Sequence, residues 1–224
     1  MKAPLFGRID YLNLLPFSLL AKSLPNEALK ASMKYHRGVP SFINRRFMRR
    51  QINAAFVSSI VSARYFGVKL GIVAKKEVRS VLVCEGENRP DAASQTSNLL
   101  ARLMGVSGEV MIGDRALRHY YLGGGGIDLA KMWYEQTGLP FVFARLCTHG
   151  HRDYFRALAN KASRAPIRIP ARILKQEADK IGLHRRDLVA YLRLISFTID
   201  AKAQRGLTLF LRRARLDPIG RRRL

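Results

Sequence analysis

Residues 133–144 read WYEQTGLPFVFA and pass from a helical pattern through a turn into a strand. The helical pattern ends at Thr137, because Gly138 and Pro140 are residues that stop a helix. The apolar run over 141–146 is typical of a buried strand. A helix that ends directly before a buried strand is one unit of an α/β fold.

A second motif lies earlier in the chain, at residues 112–117, which read IGDRAL. An apolar run ends at Ile112, and Gly113 allows a tight turn. We expect the carboxylate of Asp114 to cap the following helix by accepting hydrogen bonds from the free amide groups of its first turn. Together the two motifs indicate a small-molecule site in an α/β protein.

The composition is that of a globular protein. The chain has 224 residues, of which 48% are hydrophobic, and this is ample for a buried core. Its apolar runs end well short of the roughly 20 residues that span a bilayer, and no unbroken secretion signal is visible. We therefore expect a cytoplasmic protein without a membrane anchor. Cys84 and Cys147 lie in apolar runs and are predicted to be buried thiols.

The net charge is +24, from 40 Lys and Arg residues against 16 Asp and Glu residues. Such a charge favours acidic partners, either nucleic acid or a small anionic substrate drawn in by a positive field. Charges spread over solvated faces would give the same total. The arginine clusters do not alternate with aromatic residues as they do in single-strand binders. The charge alone therefore does not identify the ligand.

The N-terminal part of the chain predicts a βαβ unit. Residues 6–10 and 52–57 have the pattern of strands, and a helix is expected after each. Pro16 suits the first position of one helix, where its missing amide hydrogen is not needed. Ser41 is expected to cap another helix over 42–51. This order predicts a largely parallel sheet.

We predict two α/β lobes, with the second inserted into the first. The first lobe comprises residues 1–84 and 147–224, and its C-terminal part is expected to be helical throughout. The second lobe comprises residues 85–146. Two strands, near 80–86 and 141–147, are expected to cross between the lobes.

The strand-to-helix turns of these lobes predict where a ligand binds. Ligands of open parallel sheets lie at the carboxyl ends of the strands, so four turns are expected to face one cleft between the lobes. The free amides and the dipole of helix N-termini favour an anion there. These turns carry Asn13, Ser58 with Ser59, Thr96 with Ser97, and Gly113 with Asp114.

A series of short motifs runs along nearly the whole chain. The motifs are YLN at 11–13 with LP at 15–16, PS at 40–41 followed by Asn44, VSS at 57–59, RSV at 79–81, TS at 96–97, IGDRAL at 112–117, DL at 128–129, Trp133, and TGLPFVFA at 137–144. In this order they resemble the chorismate dehydratase family, which acts in the futalosine route to menaquinone.

The resemblance implies both a fold and a reaction. The fold would be like that of type II periplasmic binding proteins, whose two lobes close over the ligand. The reaction would convert chorismate to 3-enolpyruvylbenzoate and water, with no cofactor and no metal. This chain departs from many relatives at Arg145, where they carry an apolar residue, and the contacts near Arg145 are therefore left open.

The chemistry of this reaction needs hydrogen-bond donors. Loss of the ring hydroxyl with the neighbouring ring proton makes the ring aromatic, so the barrier is the removal of a carbon-bound proton. Hydrogen bonds to the ring carboxylate can stabilise the charge that develops in a stepwise elimination. The expected substrate-binding residues are Ser58, Ser59, Ser80, Thr96, Ser97, Gly113 and Asp114.

The proton acceptor is harder to find among the residues. No histidine lies in the matched turns, and Asn13 is not a strong base, although its amide can donate and accept hydrogen bonds together. The family resemblance implies substrate-assisted catalysis, in which the enolpyruvyl carboxylate of the substrate takes the proton. Asn13 is then the catalytic residue that orients this carboxylate or the departing hydroxyl.

Two other functions compete with this one. Ala178, Gly182, Leu188 and Tyr191 have the spacing of a helix-turn-helix, which together with the charge suits a DNA-binding regulator. However, Leu188, Leu192, Ile195 and Ile199 form an apolar stripe that is typical of a helix packed against a lobe. We therefore expect no specific nucleic acid partner. The third function is that of a solute-binding protein that holds an anion without catalysis.

Overall fold

The structure, a computed structural model, describes residues 4–164 and 168–222. Its strands are β1 (Phe6–Ile9), β2 (Arg37–Gly38), β3 (Ala54–Ser58), β4 (Gly67–Ala74), β5 (Val81–Cys84), β6 (Glu109–Ile112), β7 (Ile127–Asp128), β8 (Phe141–Thr148) and β9 (Ile195–Thr198). Its α-helices are α1 (Leu15–Lys22), α2 (Glu27–Tyr35), α3 (Pro40–Met48), α4 (Ser59–Ser62), α5 (Gln95–Leu103), α6 (Gly113–Tyr121), α7 (Leu129–Thr137), α8 (Arg152–Arg164), α9 (Ala171–Lys180), α10 (Arg185–Leu194), α11 (Ala201–Leu216) and α12 (Pro218–Arg221). A 3-10 turn, Leu12–Leu14, precedes α1.

The larger lobe is built on a six-stranded sheet in the order β2-β1-β3-β8-β4-β9. β1 is parallel to β2 and β3, as the βαβ pattern predicts. The other pairs, β3 with β8, β8 with β4 and β4 with β9, are antiparallel. The prediction of a largely parallel sheet is therefore wrong, because β8 brings the chain back from the smaller lobe and runs against its neighbours.

The C-terminal part of the chain is not helical throughout, and that prediction is also wrong. β9 pairs with β4 at the edge of the large sheet. Its sequence, ISFT, alternates apolar and polar residues as a strand with one buried face does. β9 has only four residues, and an alternating pattern of that length is too short to be recognised as a strand in a sequence that is helical on both sides of it.

The smaller lobe contains a three-stranded antiparallel sheet in the order β6-β5-β7. The predicted division assigns β5 to residues 1–84 and most of β8 to residues 85–146. The pairing instead places β5 in the small sheet and β8 in the large one, so the chain crosses between the sheets over 75–80 and 138–140. The extent of each lobe stays a prediction.

The segment that connects α7 to β8 folds as its sequence pattern predicts. Gly138 ends α7 with a left-handed φ of 65°, a conformation that glycine enters without the steric cost of a Cβ. Its amide donates to the carbonyl of Tyr134 at 2.7 Å. The buried ring of Trp133 then lies 5.4 Å from that of Phe141, measured between centroids. The turn therefore holds the end of α7 against the start of β8.

Among the described residues, prolines lie in the first turns of three helices, Pro16 in α1, Pro40 in α3 and Pro218 in α12. α1 begins at Leu15, so Pro16 lies one residue later than the predicted first position. Pro40 begins α3, with Val39 as the N-cap and no side-chain cap. The predicted cap by Ser41 is therefore wrong, because the helix begins one residue before Ser41 and places it inside the first turn.

The two apolar cores meet at shared side chains. Tyr11 and Phe143 pack against both cores, and Leu117 of α6 lies in the core of the larger lobe. α11 adds Phe210 to the core of the smaller lobe, 5.0 Å from the ring of Phe141. Of the residues predicted to bind substrate, Gly113 lies directly against the ring of Tyr11.

The cysteines and the helix hydropathy are both the subject of predictions from the composition. Cys84 and Cys147 are buried free thiols, as expected. Over residues 4–164 and 168–222, no helix combines the length and the hydropathy that crossing a membrane requires.

Candidate active site

The lobes meet at two pairs of helix starts. The start of α4 faces that of α5, where the Ile60 amide donates to Thr96 Oγ1 at 3.4 Å. The 3-10 turn faces the start of α6, where the Leu12 amide donates to Asp114 Oδ1 at 3.0 Å. The four turns predicted to share a cleft therefore meet in two pairs. We call this contact zone the seam.

Asp114 does not cap its own helix, so this prediction is wrong. Gly113 opens α6 with a φ of 64°, and Ile112 is the N-cap with no side-chain cap hydrogen bond. Because the helix begins one residue before Asp114, the side chain of Asp114 lies beyond the capping position. Its carboxylate crosses the seam and binds the amide of Leu12 in the other lobe.

Asp114 gives the stability a pH dependence that can be measured. Burial raises its pKa from 3.8 to about 6, with the negative charges of Glu177 and Asp10 acting in the same direction and the Leu12 hydrogen bond opposing them. Because the pKa is higher in the folded state, this group favours folding most below pH 4, and the contribution is lost as the pH rises through 6. From pH 4 to pH 7, wild type should lose about 2–3 kcal/mol of unfolding free energy relative to Asp114→Asn. Urea titrations measure this, and a constant difference would contradict the prediction.

Tyr11 packs its ring directly on Gly113. A Cβ at Gly113 would lie 2.7 Å from Cζ of Tyr11, which is too close for any side chain. The Gly113 amide donates to the carbonyl of Ser80 at 2.9 Å. Burial, followed by the charges of Asp91 and Asp114, raises the pKa of Tyr11 to about 12. Its hydroxyl therefore keeps its proton at neutral pH and can donate.

Asn13 holds an unused acceptor. It lies in the 3-10 turn between two buried leucines. Its Oδ1 is buried, and among the described residues no donor reaches it. An unpaired buried acceptor costs about 1–3 kcal/mol of stability, so one that persists calls for an explanation such as a ligand contact. Asn13 therefore carries a buried acceptor without a described partner, one residue after the Leu12 contact of the seam.

Two buried serines of the predicted site are oriented by residues from other elements. Asn44 Nδ2 of α3 donates to Ser58 Oγ at 3.0 Å, and the Ser58 amide donates back to Asn44 Oδ1 at 3.1 Å. The hydroxyl of Tyr191 in α10 donates to Ser80 Oγ at 3.0 Å. Because both serine oxygens act as acceptors, each serine keeps its own hydroxyl hydrogen to donate.

Of the other predicted hydroxyl groups, two keep a hydrogen that they can donate to a ligand and one does not. Thr96 Oγ1 accepts from the Ile60 amide, and Ser97 Oγ accepts from the Ser94 hydroxyl at 2.8 Å, so both keep a hydrogen. The Ser59 hydroxyl instead donates to the carbonyl of Val142. Ser59 thus ties the start of α4 to β8 and has no hydroxyl hydrogen left in this arrangement.

Asn44 lies among the family motifs and Tyr191 in the helix-turn-helix spacing, but neither is predicted from the sequence to be a site residue. Both are polar residues on the buried face of an otherwise amphipathic helix: Asn44 is buried together with Ile43 and Phe47, and Tyr191 with Leu188. A buried polar side chain needs a hydrogen-bond partner, so this pattern is the signal that could have found them. Their partners, Ser58 and Ser80, lie on other elements and only the fold identifies them.

The C-terminal helices pack against the larger lobe. Leu188 is buried in its core and Leu192 packs against it, as the apolar stripe predicts, and Ala178 and Tyr191 are buried there as well. The stripe does not continue on one helix to Ile199, and that part of the prediction is wrong, because α10 ends at Leu194 and Ile195 begins β9. The hydroxyl of Tyr191 reaches Ser80 beside the seam. The helix-turn-helix spacing is therefore accounted for by packing, and α10 contributes to the candidate site.

Arg145, where this chain departs from many relatives, binds backbone carbonyls of β4. The guanidinium of Arg145 donates to the carbonyls of Gly67 at 2.7 Å and Val68 at 3.2 Å, and so supports the backbone of β4. In the part of the chain that the structure describes, no group of three or more His, Cys, Asp and Glu side chains is placed to hold a metal ion.

Comparison with known proteins identifies the family. A family model described as menaquinone biosynthesis matches residues 97–216. A chorismate dehydratase from Campylobacter jejuni is 41% identical over 215 residues, which are 93% of this chain and 96% of that protein.

Two solved structures share the fold at low identity. A protein from Archaeoglobus fulgidus has a TM-score of 0.60 and 12% identity, over 94% of this chain and 97% of its own. The periplasmic aliphatic sulphonate binding protein from Escherichia coli has a TM-score of 0.52 and 16% identity, over 99% and 98%. The predicted periplasmic-binding-protein-like fold is confirmed, and the chain belongs to the chorismate dehydratase family of menaquinone biosynthesis.

Proposed function

We propose that the protein is a chorismate dehydratase that converts chorismate to 3-enolpyruvylbenzoate and water in menaquinone biosynthesis. Its identity to the Campylobacter jejuni enzyme supports the activity. The observation that supports placing the active site at the seam is the Oδ1 of Asn13, which is buried and has no described hydrogen-bond partner. A buried acceptor of this kind fits a substrate that brings a hydroxyl group into the seam.

The reaction is an elimination. The hydrogen on the ring carbon that bears the enolpyruvyl ether leaves as a proton, and the electrons of that C–H bond spread through the neighbouring double bond to the ring carboxylate. They then return to form the last double bond of the aromatic ring as the C–O bond to the hydroxyl breaks. The ring proton passes through the enolpyruvyl carboxylate of the substrate to the departing hydroxyl, and the two are released as water. Donors directed at the ring carboxylate lower the barrier, because the charge develops there.

Four hydroxyls and the helix starts are suited to hold the dianionic substrate. Ser58, Ser80, Thr96 and Ser97 each keep a hydrogen to donate, as the hydrogen bonds of the seam allow. The starts of α5 and α6 add backbone amides, which favour carboxylates. Ser59, whose hydroxyl is engaged, contributes through the start of α4 that it holds in place.

Asn13 is the proposed catalytic residue. The enolpyruvyl carboxylate of the substrate takes the ring proton, so the protein supplies no base of its own. The amide oxygen of Asn13 accepts a hydrogen bond from the departing hydroxyl or from the protonated carboxyl, and it fixes the position of the group that it binds. Orientation of this kind contributes to the rate because the reacting groups are held at bonding distance.

We expect the enzyme to act in the cytoplasm on a small-molecule substrate, with neither a membrane nor a specific nucleic acid as partner. The two thiols, Cys84 and Cys147, are free and buried, which fits the reducing conditions of that compartment. The positive net charge of +24 fits a dianionic substrate, since a positive field raises its local concentration.

The test is to incubate the purified protein with chorismate, without added metal or nucleotide, and to follow the loss of the diene absorbance. Mass spectrometry of the product should find a loss of one water and an aromatic ring with an intact enolpyruvyl ether. Heat-inactivated protein and buffer alone control for spontaneous decay of chorismate. Unchanged chorismate with folded protein would reject the proposal, and binding without turnover would favour a non-catalytic anion-binding protein.

A further inference from the structure

The geometry points to Asp114 as an interlobe latch, a positioning residue that caps the 3-10 turn carrying Asn13 from the opposite lobe. The turn and its cap come together only when the lobes are closed, so the latch sets the position of Asn13 in the closed state. This inference rests on the proposed function, because it concerns the same site.

The 3-10 turn has no cap of its own. The N-cap residue, Tyr11, makes no side-chain cap hydrogen bond. The first amides of any helical turn lack a partner within it, and Leu12 is buried, so water does not readily supply one. The acceptor is Asp114 Oδ1 at 3.0 Å, which is 102 residues further along the chain.

The carboxylate of Asp114 is committed to this contact. It does not cap α6, whose N-cap is Ile112. The neighbouring cation, Arg115, is directed instead to Glu109 at 3.1 Å and Asp91 at 3.7 Å. A carboxylate accepting from a buried amide forms one of the stronger hydrogen bonds in proteins.

Asp114 is held on a fixed platform. The amide of Gly113, one residue before it, donates to the carbonyl of Ser80, and the hydroxyl of Ser80 is in turn held by Tyr191. The ring of Tyr11 fills the space over Gly113, where a Cβ would clash with it. In the closed arrangement, Asp114 is therefore held by contacts to the residue before it as well as by its own hydrogen bond to Leu12.

Opening the lobes would separate the Leu12 amide from its only described acceptor. Asn13 follows Leu12 directly, so it moves with the turn relative to Thr96 and Ser97 in the smaller lobe. The latch thus joins the catalytic residue on one lobe to the proposed carboxylate donors on the other. Closure of the two lobes therefore also brings Asn13 into place beside these donors.

The test compares Asp114→Ala with Asp114→Asn, because asparagine keeps an oxygen that can accept from Leu12 while alanine does not. Glu109→Gln is the matched control: it removes a carboxylate on the same lobe that is paired at the surface. Amide hydrogen exchange of Leu12 is measured by NMR without substrate, and kcat and KM are measured with chorismate.

In Asp114→Ala, exchange at Leu12 should rise about tenfold or more, while Phe56 in the centre of β3 stays protected. Its kcat should fall by about 100-fold, since a small misplacement of a reacting group costs that much. Asp114→Asn should recover part of both effects, and Glu109→Gln should match wild type.

Two outcomes would overturn the latch: unchanged Leu12 exchange in Asp114→Ala, or equal loss of activity in Asp114→Ala and Asp114→Asn. The second would mean that the carboxylate contacts the substrate directly. If Asp114→Ala does not fold, Leu12 exchange in Asp114→Asn decides alone, with wild-type rates overturning and faster rates supporting the latch. If wild type does not convert chorismate, the proposed function fails, while the exchange measurement still decides the latch.

Discussion

Replacing Asn13 with alanine should lower kcat for chorismate by about 10²- to 10³-fold, the loss seen when one hydrogen-bonding group is removed from a site of developing charge. Chorismate binding should change little, because its carboxylates are held by hydroxyls and helix amides elsewhere in the seam. Steady-state kinetics give kcat. Titration of the slow variant with chorismate gives the dissociation constant.

The same variant should keep its stability. Because Oδ1 of Asn13 is buried without a described partner, its removal relieves a cost of about 1–3 kcal/mol, and the midpoint of thermal unfolding should stay constant or rise. Asn160→Ala on the exposed side of α8 is the matched control and should behave as wild type. Near-normal turnover of Asn13→Ala would remove Asn13 from catalysis. Parallel losses of stability and activity would indicate a structural role.

Replacing Gly113 with alanine is expected to cost about 2–5 kcal/mol of unfolding free energy. About 1–2 kcal/mol comes from the left-handed φ of 64°, which disfavours any Cβ. About 1–3 kcal/mol more comes from overpacking, because the new Cβ would lie 2.7 Å from Tyr11. The relief of this clash moves the turn that holds Asn13, so kcat/KM should fall as well. Urea unfolding and steady-state kinetics measure both losses.

Gly138 provides the matched control. It has a φ of 65°, and a Cβ there would meet no atom within 4 Å. Gly138→Ala should therefore show only the backbone cost of about 1–2 kcal/mol and near-normal kcat/KM. The difference between the two variants measures the contact with Tyr11. Equal losses at both glycines would mean that this contact is unimportant.

Local sequence was sufficient for features that depend on near neighbours in the chain. The stop of α7 at Gly138 and the start of α1 within one residue of Pro16 follow from backbone conformation alone. Strands β1 and β3 follow from short apolar runs between turns. The order of motifs also identifies the family and its fold, since such an order reflects the whole chain. These features needed no knowledge of which residues meet in space.

Other features depended on contacts between residues far apart in sequence. The direction of β8 depends on where the chain re-enters the large sheet. The role of Tyr191 depends on Ser80, which lies 111 residues earlier. A four-residue strand such as β9 is identified by its partner, β4, more than by its own pattern.

Asp114 shows the difference most directly. Its position after Gly113 predicts a cap for α6, because local sequence offers the carboxylate no other amide. In the structure it caps a turn of the other lobe, through a hydrogen bond to Leu12. The chain therefore encodes a carboxylate at the start of a helix, and closure of the two lobes decides which amide it binds. The reason is that a buried polar group takes whichever partner the packed structure brings within hydrogen-bond distance, at whatever separation in sequence.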